Sequence, residues 1–330
     1  IDANGVPTGL TALGPGPVSS NDEYGQTPDP LSVAPTDLKS QYQDELILGF
    51  EKTLGTTWNS GAKLTFRRLQ SAIDDTCDAG RFADRLAGMG LDADAYELPG
   101  CVIFNPGQTN TFQVRHRDGS GYTPVSMSAS DWGYDGKKAK REYVAVDLFI
   151  EHPMSERWYA RLDYTWSRSF GNTEGQVRSD IGQSDVSKTQ DWDAAALMEY
   201  AGGYLANDRR HQFKAFGAYQ INDEWTASAT VRVMSGMPKN CLGYYGSDQS
   251  DPLNGYGSAY HYCNGRPSRP GDAGRQPWTA QLDMGVMYRP GFADNRLGLG
   301  LSVFNVLNQR RQLQSTAKYQ TGPDTVSNLY

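Results

Sequence analysis

The chain has 330 residues and a formal net charge of −7, with 36 glycines and 19 tyrosines. That length suits one large or two ordinary domains, and the acidic balance speaks against a general nucleic-acid partner. Mean hydropathy is −0.61, and no run of about 18 apolar residues occurs; this excludes a transmembrane helix but not strands, whose bilayer signal is diluted and alternating.

The opening residues, IDANGVPTGL, show no charged leader and no apolar signal core and read as loop. Asp2, Asn4 and Gly5 form a D-x-N-G string of calcium-loop type, too short and common to specify a metal. Eight alternating segments follow, near 44–53, 58–72, 141–152, 157–170, 208–220, 225–237, 277–289 and 296–307. The fourth contains WYARLDYTW, with Trp158, Ala160, Leu162, Tyr164 and Trp166 on one parity and Tyr159, Arg161, Asp163 and Thr165 on the other. Successive strand side chains point to opposite faces, so each segment has one greasy and one polar face. Most run about ten residues or more, where about 9 to 11 cross a bilayer when tilted and globular strands average nearer 5 or 6.

The connections sort by length. Short turns fall at 54–57, 153–156, 221–224 and 290–295, and long polar connections at 73–140, 171–207 and 238–276. Short turns at one end and long loops at the other are the outer-membrane pattern. Trp58, Trp158 and Trp225 each follow a short turn, and Phe292 lies in the fourth. Indole rings favour the membrane–water interface, so these form one girdle, with Tyr42, Phe66, Tyr164, Trp166 and Trp278 near the other. The expected fold is all-β: an antiparallel transmembrane β-barrel segment of about eight long strands, an open sector of a larger barrel with both edges unpaired. Leu162 and its parity face lipid; Arg161 and Asp163 face inward.

Several phrases in order, LKSQYQDELILGFEKTL, YTWSRSFGNTEGQVRSD, GYLANDRRHQFKAFGAYQINDEW and LSVFNVLNQR, resemble the Oar-like TonB-dependent outer-membrane receptors. The resemblance runs from about Asp29 to Gln309. It implies a cell outer-membrane location in a Gram-negative bacterium and places residues 1–330 in the C-terminal part of the receptor's barrel. The plug domain, the TonB-contacting segment and the closing strand are then expected outside this chain, with 308–330 as the last outer loop. The implied partners are outer-membrane lipid and lipopolysaccharide, the TonB complex through the absent N-terminal segments, and an unspecified small-molecule, peptide or glycan ligand.

No catalytic constellation is present: Ser, His and Asp occur without a nucleophile-elbow context, and Gly298 and Gly300 lie on one strand face rather than in a phosphate loop. No enzyme activity, cofactor or nucleic-acid partner is expected, and His116, His152, His211 and His261 show no metal-ligand spacing with the cysteines. Glu45, Asp147, Asp163 and Asp283 are read as partners of inward-facing cations. In register, Glu45 is expected opposite Arg67. Across the 153–156 turn, Glu151 is expected opposite Arg157, Asp147 opposite Arg161, Val146 opposite Leu162 and Ile150 opposite Trp158, which keeps Asp147 away from Asp163.

Cys77 with Cys101, and Cys241 with Cys263, each fall within one long connection on the exposed, oxidising side, so two disulfides are expected. Tyr244, Tyr245, Tyr256, Tyr260 and Tyr262 crowd the second of these loops. They make either a ligand-contacting surface, as tyrosine-rich paratopes do, or a self-packed lid. Arg68, Lys138, Lys140, Arg168 and Arg209 lie past the apolar belt on the long-loop side. They read either as a lipopolysaccharide contact or as ordinary rim charges. Two rival functions stand beside the receptor: a passive porin or adhesion barrel acting through its outer loops, and a secreted soluble glycan-binding β-sandwich.

Overall fold

The computed structural model describes residues 30–183, 189–294, 296–328 and 330; the D-x-N-G string of Asp2, Asn4 and Gly5 lies outside them. The alternating segments form eight long strands: β1 (Tyr42–Leu54), β2 (Trp58–Ser71), β3 (Arg141–Ser155), β4 (Trp158–Gly171), β5 (His211–Gln220), β6 (Trp225–Met234), β7 (Thr279–Tyr288) and β8 (Leu299–Val303). Each pairs antiparallel with its neighbours in chain order, and Gly203–Tyr204 adds a short ninth strand beside β4.

The ladder sorts side chains as period-2 patterning requires. Leu48, Leu64, Val146, Trp166 and His211 form one row across five strands, and Ile150, Leu162, Ala215, Val231 and Leu282 another. The opposite face carries Glu51, Gly61, Phe149, Asp163, Lys214, Arg232 and Gln281 in one row. Gly61 is required there: a Cβ at this position would collide with the Phe149 ring and the Phe50 carbonyl.

The transmembrane barrel segment expected from the sequence is not what forms. Among the described residues no sheet closes on itself: β1 and β8 lie at opposite ends of an open sheet, and four further sheets of two or three strands stand apart from it. Closure needs the first and last strands to exchange backbone hydrogen bonds, and these two do not. The unpaired edges expected on β1 and β8 are present. The soluble sandwich fares no better, because it needs a second sheet over the apolar face. Leu148, Leu162 and Leu301 on that face are instead 43%, 47% and 67% exposed.

Two local expectations also change. Glu45 faces Arg67 as the charge argument requires. Between β3 and β4, however, Glu151 faces Arg161, Asp147 faces Thr165, Val146 faces Trp166 and Ile150 faces Leu162. The turn is Glu156–Arg157 rather than 153–156. Both residues hold positive φ (48° and 80°), and a bulge lies between His152 and Ser155. A two-residue turn of that kind matches strand twist. The slip is four residues, an even number, so each side chain keeps its face and Asp147 still avoids Asp163. At β8 the ladder stops at Val303 rather than near 307. Asn305 takes a left-handed φ of 51°, and its N–H goes to Asp283 Oδ1 at 2.8 Å.

The 73–140 connection, expected as plain loop, is folded. It holds helix α1 (Gly80–Gly88), a hairpin of Asn110–His116 with Tyr122–Met127, and a pair formed by Asp74–Thr76 and Val102–Phe104. Phe82 and Leu86, four apart on α1, are buried. They join Phe104, Phe112, Trp132, Tyr134 and Trp192 in a core outside the main sheet. Ring pairs such as Phe82–Trp132 (centroids 5.1 Å, 88°) and Tyr134–Trp192 (5.1 Å, 73°) are edge-on, the geometry the ring quadrupole prefers. This folded connection forms a cap at the long-loop end of the sheet, where Thr65, Ala145, Ser167 and Ser169 of the polar face are buried.

Candidate functional site

Below the cap, the polar face of β1 to β5 lines a cavity of about 730 Å³. Its walls are charged because one parity of each strand is charged. Lys63 Nζ lies 3.2 Å from Asp147 Oδ2, and Thr165 Oγ1 donates to Asp147 Oδ1 at 2.6 Å. Arg161 holds Asp163 at 2.9 Å and Glu151 at 3.3 Å and covers the Phe149 ring at 4.7 Å. Glu45 pairs with Arg67. Three of the four inward carboxylates thus have cation partners. Asp283 instead accepts from Asn305 N–H and from Gln281 Nε2 at 2.9 Å. Lys214 and Arg232 stand directly opposite one another on β5 and β6. Such a wall offers hydrogen bonds and both signs of charge; it has no arrangement of nucleophile, base and orienting group.

The cysteines join as Cys77–Cys101 and Cys241–Cys263. The first ties the two strands of the Asp74–Thr76 pair; the second closes the tyrosine loop. Within that loop the phenols turn inward. Tyr245 and Tyr262 both donate to Glu199, at 2.8 and 2.9 Å. Tyr256 donates to Asp193 at 2.9 Å and Tyr260 to Asp251 at 2.6 Å. Burial and these carboxylates push the Tyr260 and Tyr262 hydroxyls far above the usual phenol range. Tyr244 is half-buried beside Gln320. Four of the five phenol oxygens are therefore tied to protein carboxylates, three of them to residues of the preceding long connection.

Sequence reasoning missed the buried polar hub beneath these loops, because its members are far apart in the chain. Arg178 is 3% exposed, and its Nε lies 3.2 Å from carboxylate oxygens of both Asp180 and Asp191. Burial pushes the Asp191 carboxyl up to about 6 against the pull of Arg178. Burial likewise pushes His261 down to about 3. Nearby, Asp74 accepts from Thr189 N–H and Oγ1 at 2.8 and 2.9 Å, yet burial still lifts it to about 8. One signal was available: Asp180, Asp191 and Asp193 lie in a stretch otherwise read as solvated loop.

The cationic row divides. Arg68 and Lys140 share Glu142, at 3.8 and 3.6 Å, an acid of the same parity that the row reading passed over. Arg209 donates to the Ser235 carbonyl at 2.9 Å. Lys138 is exposed, with its backbone against Gly107 of the cap. Arg168 is exposed and lies over the Phe170 ring at 4.7 Å. By register Arg68 and Arg168 share the apolar face with Phe66 and Val144.

No family model matches the chain. It is 30% identical over 276 residues to the TonB-dependent transporter Oar of Myxococcus xanthus, a match covering 82% of this chain and 21% of that protein. Among solved structures it is similar to the outer membrane transporter YddB of Escherichia coli, at 13% identity and a TM-score of 0.50, over 85% of this chain and 30% of that one. It is also similar to the closed form of the ferric-catecholate import receptor Fiu of E. coli K12, at 14% identity and a TM-score of 0.41, over 94% of this chain and 27% of that one. The chain thus spans about a fifth of the length of its curated relative, and the YddB likeness concerns fold alone.

Proposed function

We propose, from this chain's kinship with the TonB-dependent outer-membrane receptors, that it forms the C-terminal part of such a receptor and serves TonB-energised uptake of a scarce ligand. The observation that carries the reading is the 30% identity over 276 residues to a TonB-dependent transporter. Two features of the fold support it. The apolar face of the sheet stays uncovered along its whole width, which suits lipid and not water. The connections divide into short turns at one end and a folded, disulfide-tied cap at the other.

In this reading the charged cavity on the polar face gives a ligand a wetted wall to pass, and the cap shields it from the outside. The ligand is a small molecule, peptide or glycan. The TonB complex is met by receptor segments outside this chain.

Two measurements on the full-length receptor test the reading. Outer membranes are washed with alkaline carbonate, and the receptor is crosslinked in cells to TonB. Retention in the membrane together with a TonB-dependent crosslink is the expected result. Release by carbonate would remove the membrane placement, and retention without a crosslink would leave a passive outer-membrane protein.

A further inference from the structure

Glu199 stands among tyrosine rings with no cation to answer it. Its Oε1 accepts from the Tyr245 hydroxyl at 2.8 Å and its Oε2 from the Tyr262 hydroxyl at 2.9 Å. Those two phenols are its side-chain partners among the described residues, and neither carries a positive charge. Glu199 is half-buried, so part of the carboxyl group is open to solvent.

The rings are fixed before any ligand arrives. Tyr262 is the ring the others share: Tyr245 meets it with centroids 5.1 Å apart at 60°, and Tyr200 at 5.6 Å and 88°. Tyr262 is buried with Leu197, Ala259 and Tyr260, and the next residue, Cys263, is bonded to Cys241. Tyr245 exchanges backbone hydrogen bonds with Ser250, both of 3.0 Å. Tyr200 is 41% exposed and holds a left-handed φ of 58°, which a bulky side chain rarely adopts. Three rings from two connections thus gather at one carboxylate, and their order costs an incoming ligand nothing.

The surroundings set the sign of the missing partner. Segments 190–207 and 241–263, which build the site, contain Asp191, Asp193, Glu199, Asp248 and Asp251 and no lysine or arginine. The local field therefore favours a cation. Burial and the Glu199 carboxylate push the Tyr245 and Tyr262 hydroxyls above the usual phenol range. A bare metal ion is a poor match, because it seeks several anionic oxygens and these phenols keep their protons. A guanidinium wants both carboxylate oxygens for one planar fork, and here each oxygen already serves a phenol. An alkyl ammonium needs no proton transfer. Its N–H groups take lone pairs that the phenols leave free on Glu199, and its charge and stem rest against the rings.

We propose that Glu199, with the rings of Tyr200, Tyr245 and Tyr262, binds a primary ammonium group on an alkyl stem, the chemistry of a lysine side chain. The phenol oxygens turn inward to hold the carboxylate, and the ring surfaces are what the ligand meets. The outer loops alone build this site, and it does not depend on the uptake reading above.

The test titrates the full-length protein in detergent with N-acetyl-lysine methylamide and with its side-chain-acetylated form. Binding is read by saturation-transfer NMR on the side-chain methylenes of the probe. The acetylated probe should bind the wild type at least about tenfold more weakly than the free amine. Glu199→Gln leaves an oxygen for the phenols and removes the charge, and it should weaken the amine by about tenfold. Tyr200→Asn removes the exposed ring and suits the left-handed φ. It should cost about threefold, the scale of one exposed cation–π contact. Asp248→Asn, at an exposed acid of the same loop, is the control and should match wild type. Limited proteolysis of 241–263 follows the folding of each variant; if Glu199→Gln loosens the loop, Tyr200→Asn and the acetylated probe decide. Equal binding of the two probes by the wild type would overturn the proposal, as would unchanged affinity in both variants. A loss in Asp248→Asn as large as in Glu199→Gln would make the effect one of general charge and overturn it too. Displacement of the amine by equimolar calcium would assign the site to an inorganic cation, with the same consequence.

Discussion

The sheet and the cap are built from the same residue types and use them in opposite ways. In the cap, Phe104 is fully buried and touches Tyr134, Trp132 and Trp192. In the sheet, Leu301 and Phe50 are 67% and 65% exposed. The cap follows the rule of a water-soluble domain, with an aromatic core, polar exterior and disulfide ties. The sheet is held by its backbone ladder, and its apolar residues stay exposed along one face. In the proposed outer-membrane setting one chain records two solvents, with the boundary where the apolar rows give way to Arg168.

Breaking the cap from inside should have the largest effect. Phe104→Ala should cost the cap about 3 to 5 kcal/mol, the range for a buried aromatic truncated to alanine. Hydrogen exchange should quicken across 74–134 while the β2–β3–β4 ladder keeps its protection. Equal loss in both regions would mean that they fold as one unit.

The same chemistry should be weighed differently on the sheet. Leu162→Arg in the middle of the apolar face should cost about 2 to 4 kcal/mol in lipid bilayers. A purely aqueous face would tolerate it within about 0.5 kcal/mol. Equilibrium unfolding of the full-length receptor in liposomes decides between these values.

The disulfides sharpen the contrast from the covalent side. Replacing Cys241 and Cys263 by Ser should cost the outer loop up to about 3 kcal/mol, the chain-entropy value for a loop of 22 residues. Limited proteolysis should then open 241–263 first. The tyrosines that converge on Glu199 hold the loop in part without the bridge, so cleavage should accelerate rather than become immediate.

The smallest effect is one of pH. Asp74 lies above its ordinary value, at about 8, so the folded cap binds its proton more tightly than the unfolded chain does. Cap stability from this group is therefore present at low pH and is lost as pH rises toward 8. Between pH 4 and 6.5 Asp191, raised to about 6, adds to the slope, while His261, lowered to about 3, opposes it. Between pH 6.5 and 8 Asp74 acts with the least interference. There Asp74→Asn should flatten the decline in exchange protection of the 74–76 strand, and an unchanged slope would assign it to another group.

The sheet was legible because its information is local. Strict alternation over ten residues names a strand and its faces without reference to any other part of the chain. Charge at facing positions then set the Glu45–Arg67 register. The Glu151 register failed because two non-glycine residues, Glu156 and Arg157, adopt the positive φ that sequence reading reserves for Gly or Asn. The cap was missed for the opposite reason. Phe82 and Leu86 lie four apart and Phe112 and Val114 two apart, signals too short to outweigh the polar residues around them. Their core closes only when Trp192 arrives from a different connection. The tyrosine loop was half legible: its rings were visible, but Glu199, which receives two of them, lies 46 and 63 residues away in the chain.

The vacancy at Gly61 has a consequence for variation across the ladder. Phe149 fills the space that a side chain at residue 61 would occupy, and Arg161 in turn lies over that ring. Positions 61 and 149 therefore form a size-exchange pair on neighbouring strands. In a library randomised at both, survivors should hold either glycine with an aromatic ring or two small residues. The two-small-residue class should also relax selection on arginine at 161, making three positions on three strands inherit as one unit.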